Sequence, residues 1–308
     1  MELYQLRYIL AVAEAGNFTR AAERTNLSQP SLSQQIINLE RELGHKLFHR
    51  LGRRAVPTEA GQVLLERARR IVLEVEDATK ALKDSPTLER RIKVGAVQTL
   101  APYLFPRLIE RCQANHPNLA VDTHEDFRVD LVRGVVDGYL DLAIVPQPVK
   151  DPRISVEPLF GEPLLLVVGR THPLATKPVI AAADLAAERF VLLGHASSLA
   201  MEIERFCGDH NFVPQLGHRC SQVATVKALV ALGRGVSILP RIAFRPDDKK
   251  NLVYRELSGG TPTRDVVVIR HLQRYQTMGA EQFLKELRAM ITDLVAAGEL
   301  SGAPAMDP

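Results

Sequence analysis

Residues 18–50 read FTRAAERTNLSQPSLSQQIINLERELGHKLFHR, a segment in which two short helical patterns meet at residues 25–27. The second pattern opens at Ser28 and carries Pro30 in its first turn, where a missing backbone N–H costs no hydrogen bond. Its apolar residues recur at helical spacing: Leu32, Ile36, Leu39 and Leu43. This spacing predicts a helix that packs one face against a core.

The other face of this second helix carries side chains that form hydrogen bonds without carrying charge: Gln29, Ser31, Ser33, Gln34 and Asn38. A surface helix that serves only solubility would usually carry Glu and Lys at these positions. A helix that reads base edges needs donors and acceptors on its N-terminal turns. The pattern therefore favours a DNA-recognition helix.

The segment that follows is basic. Between residues 41 and 54 five Lys and Arg side chains oppose one acid, Glu42, and residues 51–54 predict a tight basic turn at the tip of a wing. Arginines at such a tip can pair with phosphates. A solvated charge run beside a helical hairpin is the alternative, but the two features together favour DNA binding. The predicted contact residues are Ser28, Gln29, Pro30, Ser31, Ser33, Gln34, Arg50, Arg53 and Arg54.

The same segment resembles the winged helix-turn-helix signature of LysR-type transcriptional regulators. The resemblance rests on Phe18, Ala21-Ala22, Gln29-Pro30-Ser31, Ser33, Gln35-Ile36, Leu39-Glu40, Leu43-Gly44, Leu47-Phe48, Arg50 and Thr58-Glu59-Ala60-Gly61. Thr25 and Pro57 stand where the family usually has leucine. The resemblance implies a DNA-binding domain over residues 1–58 and a regulator controlled by a bound effector.

Residues 59 to about 84 predict one long helix with a heptad seam. The seam consists of Leu64, Ala68, Ile71, Val75, Ala78 and Leu82. A self-pairing helix after a DNA-binding module would set the distance between two recognition helices, so we expect a linker and dimerisation helix over residues 59–88. A long helix that lies on its own domain is the alternative. The helix-breaking run 84–87 marks the boundary.

From Arg91 onward short β-rich runs alternate with helical ones, which predicts an α/β domain with mainly parallel sheets. Two sets of strands with a late return suggest two lobes joined by crossing strands near Pro163 and Val266. The family resemblance implies a two-lobed effector domain like periplasmic binding proteins over residues 91–302. Its first lobe would span about 91–163 and 267–302, and its second lobe about 164–266.

In open α/β sheets, ligands bind beyond the carboxyl ends of the strands and between lobes. Thr99 follows the first strand and could hold an anion or simply cap a helix. Arg128 could bind a carboxylate ligand, pair with Glu125 or Asp126, or point to water. A small effector is expected, with an anion as one candidate. The predicted effector residues are Gln98, Thr99, Leu100, Arg128, Pro146, His195, Ser198, Gln222 and Val236.

The cysteines suggest a comparison within the family. Residues 192–207 and 102–106 resemble its peroxide-sensing branch, in which a pair of cysteines acts as the switch. Alignment on Cys207 places Ser198 where the reactive cysteine would lie. A hydroxyl forms neither a sulfenic acid nor a disulfide, so we expect a bound metabolite rather than peroxide as the signal. A thiol-based redox regulator is the alternative.

Enzyme classes find no support, because the chain lacks a P-loop, Gly-x-Ser-x-Gly, HExxH and a complete Gly-x-Gly-x-x-Gly. Its histidines show no metal-ligand spacing, and we expect neither a metal nor a cofactor. The expected partners are double-stranded DNA, the effector, other copies of the chain in a homodimer or homotetramer, and RNA polymerase. No signal peptide or membrane segment is evident, and the cysteine usage suits a reduced cytoplasm. A solute-binding α/β protein with a helical appendage is the competing class.

Overall fold

The computed structural model describes residues 1–52, 54–83 and 90–302, apart from the side chains of Lys80 and Lys83. Arg53 and the predicted helix break at 84–87 lie outside the described residues. The chain divides into two compact units, Met1–Ser85 and Pro86–Pro308.

The first unit is a winged helix-turn-helix that continues into a long helix. Its elements are α1 (Leu3–Ala15), α2 (Phe18–Arg24), α3 (Gln29–Leu43), β1 (Phe48–Leu51), β2 (Arg54–Pro57) and α4 (Glu59–Lys83). The two abutting helices predicted from residues 18–50 are α2 and α3. The wing is the antiparallel pair of β1 and β2. Gly52 lies between its strands with a φ of 61°, a conformation that glycine adopts without strain.

One apolar core holds the first unit together. The predicted stripe on α3 contributes Leu32, Ile36 and Leu39, all with 0% exposure. They pack with buried residues of α1 and with the N-terminal half of α4, including Leu65 and Val72. The periodicity of α3 therefore predicted its buried face correctly.

The second unit alternates strands and helices. Its elements are β3 (Arg90–Val97), α5 (Ala101–Asn115), β4 (Leu119–Asp126), α6 (Arg128–Val136), β5 (Leu142–Pro146), β6 (Ile154–Gly169), α7 (Pro173–Thr176), β7 (Arg189–Leu193), α8 (Ser198–Asp209), β8 (Gln215–Cys220), α9 (Val223–Ala231), β9 (Ser237–Pro240), β10 (Leu252–Arg255), β11 (Thr263–His271) and α10 (Met278–Ala296).

The expectation of mainly parallel sheets is wrong for this unit. The strand order of the large sheet is β10-β6-β11-β5-β3-β4, with β9 paired to β6. Only β3 pairs in parallel within this sheet, with β4 and β5, and the separate pair of β7 and β8 is also parallel. The remaining pairs are antiparallel, because the chain crosses between the lobes along β6 and returns along β11, which runs in the opposite direction.

Two apolar cores define the two lobes. The first core lies around β3, β5, α5 and α10, and the second lies around β7, α8, α9 and β9. The 16-residue strand β6 contributes Phe160 to the first core and Leu164 to the second. The crossing strands are therefore single continuous strands, and Glu162 and Arg264 are buried where they pass from one core to the other.

Candidate DNA-binding surface and effector cleft

Helix α3 begins with a capped and exposed turn. The Ser28 hydroxyl accepts a hydrogen bond from the backbone N–H of Ser31 at 3.3 Å and lies 2.7 Å from the Ser31 hydroxyl. Pro30 occupies the first turn, where no N–H is needed. Five of the predicted contact residues on this helix and its cap are exposed: Ser28, Gln29, Pro30, Ser31 and Gln34. Its N-terminal half thus presents uncharged donors and acceptors to solvent.

The predicted exposure of Ser33 is wrong. Its side chain is only 7% exposed, and its hydroxyl accepts a hydrogen bond from the Gln29 amide nitrogen at 2.9 Å. Residues four apart lie on the same face of a helix, so Ser33 can orient the Gln29 side chain. Gln34 and Asn38 form the equivalent bond at 2.9 Å one turn further along.

The wing carries basic side chains. Arg50 and Arg54 are exposed on its two strands, and the Arg50 guanidinium lies 4.4 Å from the centre of the Phe18 ring on α2. This cation–π contact holds the guanidinium near the start of the helix-turn-helix without neutralising it. The third predicted wing residue, Arg53, lies outside the described residues.

Sequence reasoning missed the residue that joins α3 to the wing. Glu40 is 5% exposed, and one carboxylate oxygen accepts the backbone N–H groups of Leu47 at 2.9 Å and Phe48 at 3.4 Å. Its other oxygen pairs with Lys46 at 2.9 Å. The sequence did contain a signal, because the helical spacing places Glu40 on the apolar face of α3. A carboxylate buried on such a face needs hydrogen-bond partners.

Helix α4 has two apolar faces. Leu65, Ala68 and Val72 pack into the core of the first unit. Ile71, Val75 and Leu82 are 41%, 39% and 90% exposed. The inclusion of Ala68 in an intermolecular seam was wrong, because the N-terminal half of α4 packs on α1 and covers that side chain. The exposed stripe begins one turn later.

A cavity of about 430 Å³ lies between the lobes of the second unit. Its walls come from α6, the segment after β5, α8 and β11: Arg128, Gln147, Pro148, Ser198, Met201, Glu202, Arg205, Thr263, Arg264 and Asp265. Of the predicted effector residues, Arg128 and Ser198 line this cavity. Arg128 donates hydrogen bonds to the backbone oxygens of Gln147 at 2.9 Å and Pro146 at 3.4 Å rather than pairing with a neighbouring acid.

The other predicted effector residues do not line the cavity. Leu100 and Val236 are completely buried in the two apolar cores, and Pro146 is buried at the end of β5. His195 and Gln222 are exposed, the latter at the start of α9. Gln98 is half-buried. A position near the end of a strand therefore does not predict whether a side chain lines the cavity. The path of each loop decides which side chain faces the cavity.

Thr99 serves neither role that the sequence suggested. It is 3% exposed and does not cap α5, because Leu100 occupies the cap position. Its hydroxyl accepts a hydrogen bond from Arg264 at 2.8 Å. Thr99 therefore orients a buried arginine.

Arg264 forms an ion pair with Glu162, and both side chains are almost fully buried. Two guanidinium nitrogens lie 2.9 and 2.7 Å from one Glu162 oxygen, and the other oxygen accepts the backbone N–H of Ile242 at 3.0 Å. The pair joins both crossing strands to the loop after β9. Sequence reasoning missed it because the two residues are far apart along the chain.

Glu202 is a wall residue with one unsatisfied carboxylate oxygen. Its Oε2 atom is buried and has no hydrogen-bond partner within the described residues. Burial raises the pKa of this carboxyl above its ordinary value, while the charges of Arg264, Arg128 and Arg205 oppose that shift.

The three cysteines are buried and unpaired. Burial raises the pKa of the Cys207 thiol to about 12 and that of Cys112 to about 11. It also raises the pKa of Cys220. The thiolate is the form that reacts with peroxide, so these thiols lack the environment of a sensing cysteine.

Known protein families match both units. Residues 3–62 match the bacterial regulatory helix-turn-helix protein, lysR family, and residues 86–292 match the LysR substrate binding domain. This chain belongs to the LysR family of transcriptional regulators. LysR proteins are DNA-binding regulators with a substrate-binding domain, and the family is not an enzyme family.

Individual LysR regulators resemble the chain over almost its full length. The DNA-binding transcriptional dual regulator OxyR of Escherichia coli (strain K12) is 32% identical over 292 residues, covering 94% of this chain and 95% of that protein. The Hca operon transcriptional activator HcaR of the same strain is 31% identical over 265 residues, covering 85% and 89%.

Solved LysR structures share the fold. Full-length OxyR from Pseudomonas aeruginosa has a TM-score of 0.74 at 26% identity and covers 100% of this chain and 99% of its own. Full-length CbnR in complex with its target DNA has a TM-score of 0.62 at 25% identity, with 94% and 99% covered. The winged helix-turn-helix and the two-lobed α/β effector-binding domain are thus those of the LysR family.

Within the described residues, no helix has both the length and the apolar character needed to span a bilayer. The same part of the chain contains no group of three or more His, Cys, Asp or Glu side chains placed to hold a metal.

Proposed function

We propose that this regulator reads a specific DNA sequence with the N-terminal half of α3 and binds the DNA phosphates with its wing. It responds to a small molecule in the cavity between the two lobes. The observation that carries the proposal is the exposed, uncharged hydrogen-bonding surface of α3 beside Arg50 and Arg54 of the wing, which are exposed and form no ion pair within the described residues. Base edges are read by such groups, whereas phosphates are held by cations.

Two copies would pair through the exposed apolar stripe of α4 and place two α3 helices on an inverted repeat. Two such dimers would form a homotetramer, in which a change in lobe geometry alters the spacing or bending of the DNA. We further propose that the protein works in the cytoplasm and communicates with RNA polymerase, as the expected role in transcription requires.

Replacing Gln29 with Ala is expected to weaken binding to the cognate site by about 1–3 kcal/mol and to leave binding to random DNA nearly unchanged. Arg54→Ala is expected to weaken both and to reduce the salt slope by about 1, because its contact is to phosphate. Fluorescence anisotropy at several salt concentrations measures both effects. Equal losses on cognate and random DNA in Gln29→Ala would show that α3 does not read the bases.

The signal is proposed to be a bound metabolite, although the OxyR relatives raise the redox alternative. The resemblance to the peroxide-sensing branch puts Ser198 at the position of the reactive cysteine. The observation against the redox alternative is that the three thiols of this chain are buried with raised pKa values.

Mild hydrogen peroxide is therefore expected to leave the DNA footprint and the count of titratable thiols unchanged. The triple variant Cys112→Ala, Cys207→Ala and Cys220→Ala should retain its full response to the effector. Thiol titration and footprinting before and after peroxide provide the measurement. A disulfide between Cys207 and Cys220 that alters the footprint would replace the metabolite proposal with a redox one.

A further inference from the structure

The cavity between the lobes contains two guanidinium groups that form no ion pair with a carboxylate of the described residues. Within the described residues, the Arg128 guanidinium donates hydrogen bonds only to the backbone oxygens of Gln147 and Pro146. Arg205 is exposed and forms no ion pair or hydrogen bond within the described residues. Arg264, by contrast, is neutralised by its buried pair with Glu162. Arg128 and Arg205 are thus available to a ligand carboxylate, which a guanidinium can bind through two hydrogen bonds.

The same walls carry two carboxylates, those of Glu202 and Asp265, that form no ion pair within the described residues. Glu202 has a buried oxygen with no hydrogen-bond partner within the described residues. Asp265 follows Arg264 on β11, is half-buried, and forms no ion pair in the part of the chain that the structure describes. A buried acceptor without a donor is destabilising, so a ligand that supplies a donor gains binding energy there.

These charges discriminate between classes of ligand. A ligand with only carboxylates would satisfy Arg128 and Arg205 but would place its negative charge beside Glu202 and Asp265. A ligand with only an ammonium group would meet the reverse problem. A molecule that carries both groups complements both sets, because like charges brought together at a binding site oppose association.

On the premise of the proposed function, that this cavity is the effector site, we propose that the effector is a zwitterion of the α-amino acid type. Its carboxylate is bound by Arg128 and Arg205, and its ammonium group is bound by Glu202. Pro148 and Met201 supply apolar wall for the remainder of the ligand, and the volume of about 430 Å³ is in the range of small-molecule sites.

The test uses the full-length protein and isothermal titration calorimetry. The probes are the standard L-amino acids, each beside the carboxylic acid that lacks the amino group and the amine that lacks the carboxylate. For leucine these are 4-methylpentanoate and 3-methylbutylamine. At least one amino acid is expected to bind about tenfold or more tightly than either partner molecule.

Two variants and one control test where the ammonium group and the carboxylate of the ligand bind. Glu202→Gln keeps the shape of the side chain and is expected to weaken the amino acid about tenfold while leaving the carboxylic acid unchanged. Arg128→Gln is expected to weaken both. Glu204→Gln is the matched control on α8, because Glu204 pairs with Arg219 at 2.9 Å and does not line the cavity. Urea unfolding followed by circular dichroism verifies that each variant keeps the fold of the second unit.

The outcomes separate this inference from the function on which it rests. If the carboxylic acids bind as tightly as the amino acids, or if none of the probes binds, the zwitterion is overturned. If Glu202→Gln leaves the discrimination unchanged while Arg128→Gln still weakens binding, the zwitterion is overturned and the cavity remains the effector site. If a probe binds and neither variant affects it, the proposed cavity itself is wrong.

Discussion

Glu162→Gln is expected to lower the free energy of unfolding of the second unit by about 3–5 kcal/mol, the usual cost of removing one partner from a buried ion pair. The change leaves the Arg264 guanidinium buried with no negative charge beside it. Solvent screens the uncompensated charge only weakly, since both side chains are almost completely buried. Urea unfolding of the full-length protein, followed by circular dichroism, measures the change.

The same strand offers a matched control. Glu157 lies on β6 and binds Arg288 through two contacts of 2.7 and 2.8 Å, but both side chains are partly exposed. Glu157→Gln should therefore cost no more than about 1 kcal/mol. Glu162→Leu combined with Arg264→Met should recover much of the loss, because it removes both charges. Equal effects of Glu157→Gln and Glu162→Gln would contradict the assignment of a buried, structural pair.

The double variant Ile71→Asp and Val75→Asp is expected to abolish pairing through α4. Both side chains are exposed in the single chain and form an apolar stripe with Leu82, so a partner helix would bury them. Burying an unpaired carboxylate costs about 3–5 kcal/mol, which corresponds to at least about a hundredfold loss of association. Analytical ultracentrifugation should show smaller species, and an operator with two half-sites should bind more weakly.

Gln62→Asp provides the control for added charge on α4. Gln62 is exposed and lies on the opposite side of the helix from the stripe. This variant should keep the mass and the operator affinity of the unmodified protein. An unchanged mass in the double variant would rule out α4 as the pairing surface and would leave its apolar stripe without an explanation.

Local sequence patterns were enough to predict the first unit. Helix α3 buries Leu32, Ile36 and Leu39 as their spacing required, and the basic turn after it became a two-stranded wing. Each of these elements depends on residues near one another in the chain. The family resemblance rested on the same short stretch and extended correctly to a two-lobed effector domain.

Patterns of this kind could not place individual polar side chains. Ser33 belonged to the polar face by spacing, yet it is buried in the folded unit and its hydroxyl accepts a hydrogen bond from Gln29. Leu100 lies just after β3 and Val236 just before β9, at the strand ends where wall residues are expected, yet both fill apolar cores. Whether a side chain at an element boundary faces a cavity or a core depends on the neighbouring element, which is distant in sequence.

The sequence by itself thus determined the DNA-binding module, the long helix, the α/β class and the family, because periodicity and short motifs act over a few turns or strands. Only the tertiary structure decided the polar chemistry of the cleft. Glu162 and Arg264 are 102 positions apart, and Arg128, Arg205 and Glu202 meet there from different lobes. The strength of their electrostatic interactions depends on burial and on the distances between the charges. Both are set only when the crossing strands bring the two lobes together.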